Sequence, residues 1–100
     1  MTPLERFKSE AKELQRKKNV LFTPEICASK TYADMHRNKG ALNESQSKFL
    51  AIVEKFNDDC LVNFPKEFEY DEEAVNKKLK ELEETLVVIT NTIYTILWEN

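Results

Sequence analysis

The chain has 100 residues, with 33% charged, 41% apolar and 10% aromatic side chains and a formal charge of −3. That composition suits one domain with a single modest core and excludes a disordered acidic chain. One Gly and three Pro are too few for the many tight turns of a sandwich or barrel, while abundant Lys, Glu and Leu favour helices.

The first predicted helix opens with Thr2, Pro3, Leu4 and Glu5. Thr2 suits the N-cap, Pro3 the first helical position, and Glu5 can reach back to complete a capping box. Leu4, Phe7, Ala11 and Leu14 recur at spacings of 3, 4 and 3, one narrow apolar stripe. The helix is expected to fade through Arg16, Lys17, Lys18 and Asn19, where cations suit the negative end of its dipole. Val20, Leu21 and Phe22 then form an apolar connector expected to tuck into the core.

Thr23, Pro24 and Glu25 repeat the start signal, and a second helix is predicted over residues 23–38. Its apolar content is thin: Ile26, Cys27, Ala28, Tyr32, Ala33 and Met35. Gly40 ends it, because Gly takes the left-handed conformation that closes a helix. Asn43 to Gln46 make another capping box, and a third helix runs to about Val62. Phe49, Ile52, Val53, Phe56 and Cys60 share one of its faces. Lys48, Glu54, Lys55, Asn57 and Asp58 lie largely on the other. Phe64 and Pro65 break it, and the rings of Phe68 and Tyr70 in the following linker are expected to cover the bundle end.

Asp71 caps the last predicted helix, with Glu72 and Glu73 in its first turn. Val75, Leu79, Leu82, Leu86, Ile89, Ile93 and Ile96 are spaced 4, 3, 4, 3, 4 and 3, a heptad seam in strict register. The β-branched run from Leu86 to Trp98 could be read as a strand, but unbroken register with the preceding Lys/Glu/Leu stretch favours helix. It is also too short and too polar to span a bilayer. The fold expected is a small all-α antiparallel bundle of about four helices with a long amphipathic C-terminal helix.

Charge is uneven. Residues 1–40 carry nine Lys or Arg against five acids, and residues 41–100 carry six against thirteen. The molecule therefore has a mildly basic front and an acidic back. Two cysteines and one histidine fall short of a zinc set, so no metal or other cofactor is called for. Cys27 and Cys60 fit reduced core positions. The first twenty residues carry no secretory pattern, and a cytoplasmic setting is the default.

Catalysis has little support. Cys27 and His36 lie about 13 Å apart along one helix, too far for a nucleophile and its base. No Gly-rich phosphate loop and no serine-nucleophile motif occurs. Three interaction surfaces can be read instead. Opposite the heptad seam, Val87, Asn91, Tyr94 and Trp98 form a second, partly apolar stripe with Val88 nearby. Exposed, it is a protein-binding surface suited to self-association; wrapped by neighbouring helices, it is core. Lys8, Lys12 and Arg16 form a basic ridge running into Lys17 and Lys18, able to neutralise phosphates. A solvated face paired with Glu5, Glu10 and Glu13 is the simpler account of it. The polar second helix, with Lys30, Thr31, Tyr32, Asp34, His36 and Arg37, could add to a pocket for an anionic or nucleotide-like ligand.

The expected function is a non-enzymatic interaction module: a small adaptor or stoichiometric inhibitor, acting as a homo-oligomer through its C-terminal helix. The alternative is a binder of a phosphate-containing ligand or nucleic acid through the first two helices.

Overall fold

The computed structural model describes residues 2–27, 37 and 44–98, with side chains at 2–25, 37 and 44–93. Helix α1 spans Pro3–Leu21, the single turn α2 spans Pro24–Cys27 and α3 spans Glu44–Leu61. A 3-10 turn at Lys66–Glu69 leads into α4, Glu72–Trp98. Three long helices thus make the bundle among the described residues, against the four expected. The predicted second helix is described only over Pro24–Cys27 and at Arg37, and the rest of it lies outside the described residues.

The helix starts follow the local chemistry. The Thr2 hydroxyl accepts from the Glu5 amide at 3.2 Å. One Asp71 carboxylate oxygen accepts from the Glu73 and Ala74 amides at 3.0 and 3.1 Å, satisfying donors that the helix itself leaves free. The end of α1 departs from expectation. It runs on through Leu21 and closes where the Phe22 amide reaches the Asn19 carbonyl at 3.1 Å. Lys18 and Leu21 continue the spacing of Ala11 and Leu14, so burial against α3 outweighs the weak stop signal. Val20, expected inside, is exposed.

Contacts between the three long helices fix the topology. Phe7 packs edge-on against Phe64 and Phe22 lies 6.4 Å from Phe49, so α1 and α3 run antiparallel. Lys78 meets Asp59 at 2.9 Å, while Val88 and Ile52 border one groove, so α3 and α4 are also antiparallel. The Arg6 guanidinium donates to the Asn76 side chain at 2.5 Å, which sets α1 parallel to α4. Among the described residues the three long helices thus alternate in direction along the chain, which leaves α1 and α4 as one parallel pair.

The core joins Phe7, Ala11 and Leu14 of α1 to Phe49, Phe56 and Cys60 of α3. From α4 the seam contributes Val75, Leu79, Leu82, Ile89 and Ile93, with Leu86 partly buried beside them. Phe68 plugs one end, its ring centre 4.7 Å from that of Phe7. Tyr70, expected to share that task, is 77% exposed: the backbone turns at Tyr70, where its amide bonds the Glu67 carbonyl, and the chain enters α4 without bringing the ring inward.

Candidate functional site

The outer side of α4 is the first candidate. Its inner seam is occupied by the core, yet Val87 and Val88 remain 59% and 46% exposed. Asn91, one turn on from Val87, is exposed as well. The side chains of Tyr94 and Trp98 lie outside the described residues, so the described half of the stripe is Val87, Val88 and Asn91. Val88 also lies at the mouth of a groove of about 210 Å³ between α3 and α4. Ile52, Phe56 and Leu82 supply its apolar lining, and Lys55 and Glu81 stand on its opposite sides.

One end of that groove is held by charge. Lys78 bonds Asp59 at 2.9 Å and Glu81 at 3.2 Å, with Asp59 almost entirely removed from water. Burial pushes the Asp59 carboxyl up, but hydrogen bonds from Lys78 and Asn63 outweigh it and leave the group below its ordinary range. Burial pulls the Lys78 ammonium down, and its carboxylate partners more than restore it. A paired, hydrogen-bonded charge of this kind ties α3 to α4 and calls for no chemistry.

The basic ridge is divided by the fold. Lys8, Lys12, Arg16 and Lys17 are exposed, but two of them are engaged. The Lys8 ammonium lies 5.1 Å from the centre of the Phe64 ring, and Arg16 pairs with Glu13. Lys18 leaves the ridge altogether: it is 7% exposed and points into the bundle, because its spacing from Ala11 and Leu14 places it on the inner stripe. There its ammonium donates to the Asn57 amide oxygen at 2.7 Å. Asn57, expected on the outer face of α3, is half-buried and receives a second bond at 2.7 Å from the Gln15 amide. From the second helix, Arg37 is exposed, whereas Lys30, Thr31, Tyr32, Asp34 and His36 lie outside the described residues.

Lys18, Asn57 and Asp59 are residues that type alone places on the surface but the fold brings inward, and for Lys18 and Asp59 the spacing carried the signal. Asp59 follows Ile52 and Phe56 by seven and three residues, and Lys18 follows Leu14 by four. Each sits on an apolar stripe in spite of its charge.

Cys60 is a buried free thiol whose pKa burial pushes up to about 11, so it is protonated and a poor nucleophile at neutral pH. The side chain of Cys27 lies outside the described residues. Among the described residues, no group of three or more His, Cys, Asp or Glu could hold a metal ion, and no helix is long and apolar enough to cross a membrane. No protein-family model matches the chain, and no curated protein or solved structure is significantly similar to it.

Proposed function

We propose that the chain is a non-enzymatic protein-interaction module, a small adaptor or stoichiometric inhibitor that acts as a homo-oligomer through the outer face of α4. The observation that carries this reading is the exposure of Val87 and Val88 on a helix whose inner seam is already filled. Apolar surface left in water yields about 25 cal/mol per Å² when a partner covers it. Tyr94 and Trp98 extend the stripe in sequence with the residue types that dominate interface energetics. Symmetric homo-oligomers are the commonest assemblies of small proteins, and the acidic back of the chain would steer basic partners and repel acidic ones. A reducing, cytoplasmic setting belongs to the same proposal and accords with the free thiol of Cys60.

Light scattering across a range of protein and salt concentrations tests the proposal. A dimer or larger assembly whose stability barely responds to salt is the expected result. A monomer at every concentration would overturn the homo-oligomer. The phosphate or nucleic-acid alternative rests on the exposure of Lys8, Lys12, Arg16 and Lys17. Its signature is the opposite one: binding that weakens steeply as salt rises.

A further inference from the structure

Lys18 occupies a place on the inner stripe of α1 that an aliphatic side chain would ordinarily fill. Its ammonium is answered by the Asn57 amide oxygen at 2.7 Å and by the face of the Phe22 ring, 5.7 Å away at its centre. Among the described residues no carboxylate pairs with it. The Asn57 oxygen is shared with the Gln15 amide, and the Gln15 carbonyl oxygen is itself buried without a partner. A neutral dipole and a ring face offset only part of the cost of taking an ammonium out of water.

Lys18 and Asn57 border a cavity of about 240 Å³ between the carboxyl end of α1 and the amino half of α3. Phe22, Phe49, Leu50 and Val53 give it apolar walls. At about 30 Å³ per water, that is space for roughly eight waters, or for an organic group of similar bulk. Among the described residues that line it there is one buried cation beside apolar walls, an arrangement that selects for a ligand with one negative charge on an apolar body. A phosphate would bring two charges and a strong hydration shell to those walls. We infer that this cavity binds a small apolar monocarboxylate, its carboxylate accepting from Lys18 and its hydrocarbon part lying against Phe22, Phe49 and Val53. The site is separate from the outer face of α4 and does not depend on self-association.

The test titrates octanoate, octan-1-ol and inorganic phosphate into the full chain, followed by NMR with the Lys18 side chain resolved. Octanoate is expected to bind and shift the Lys18 resonances, with octan-1-ol at least about tenfold weaker and phosphate leaving Lys18 unmoved. Lys18→Met should weaken octanoate about tenfold or more. No octanoate binding at millimolar concentration would overturn the inference. Equal binding of octanoate and octan-1-ol, or octanoate binding that spares Lys18, would overturn it as well. The comparison of acid with alcohol uses the unaltered chain and so decides the matter even where Lys18→Met fails to fold.

Discussion

Asp59 and Lys78 meet at 2.9 Å across the seam between α3 and α4, with side-chain exposures of 10% and 22%. Removing the cation leaves the carboxylate withdrawn from water with one remaining bond, from Asn63 at 3.1 Å. Lys78→Met should therefore cost about 3 kcal/mol, measured by urea unfolding at pH 7. The pair also fixes the acid response. Because the Asp59 pKa is depressed in the fold, its stabilisation is present above the ordinary carboxylate range and disappears as pH falls through the folded value. The gap between the unaltered chain and Lys78→Met should narrow below about pH 4; a gap that persists at pH 2 would contradict it.

Lys18 behaves in the opposite sense. Its burial lowers the ammonium pKa in the fold, so the protonated form costs stability at neutral pH. Lys18→Met should be neutral or stabilising by up to about 1 kcal/mol at pH 7. As pH rises from the folded value toward about 10.4, the unaltered chain should gain on the variant. The Cys60 thiol, with its pKa raised to about 11, contributes stability that declines as pH rises above the ordinary thiol range. Both proteins carry it, so to first order it cancels in the difference. A stability difference that stays flat from pH 7 to pH 10 would argue against a buried ammonium.

At the closed end of the bundle, Phe68 is buried against Phe7 while Tyr70 two residues on faces water. Phe68→Ala should lose about 3 kcal/mol or more by leaving a cavity. Tyr70→Ala should stay within about 0.5 kcal/mol of the unaltered chain. Thermal unfolding of the two variants side by side reads the contrast directly.

Val87→Glu places a charge on the exposed side of α4, where the fold does not need the side chain. Helicity and stability should hold to within about 0.5 kcal/mol, while self-association is lost. Sedimentation velocity on the variant, with circular dichroism beside it, separates an interface effect from unfolding. An assembly unchanged by Val87→Glu would move the interface away from this face.

Local signals carried well from sequence to structure. The caps at Thr2 and Asp71 depend on one oxygen and the amides that follow it, and the α4 seam from Val75 to Ile93 depends only on spacing. What did not carry was set by packing between helices. Lys18, Asn57 and Asp59 look like surface residues by type, yet their positions on apolar stripes bring them inward. There each finds a polar partner on another helix or, for Asn57, two. The outward turn of Tyr70 likewise depends on how the 3-10 turn meets α4, which no local pattern specifies. The outer face of α4 was visible as a second apolar stripe; the exposure of Val87 and Val88 became readable only once their neighbours were placed.

The parallel setting of α1 and α4 has a kinetic consequence. Helices α3 and α4 are joined by the short link of residues 62–71 and can close as a local hairpin, whereas α1 reaches α3 across residues 22–43. Its contacts with α4 close a longer loop still, between Arg6 and Asn76. Loop closure costs more entropy as the loop lengthens, so the α3–α4 hairpin is expected to form the folding nucleus and α1 to dock late. Shortened core side chains on α3 and α4 should then slow refolding, whereas Phe7→Leu on α1 should mainly speed unfolding, a division that stopped-flow chevron plots resolve.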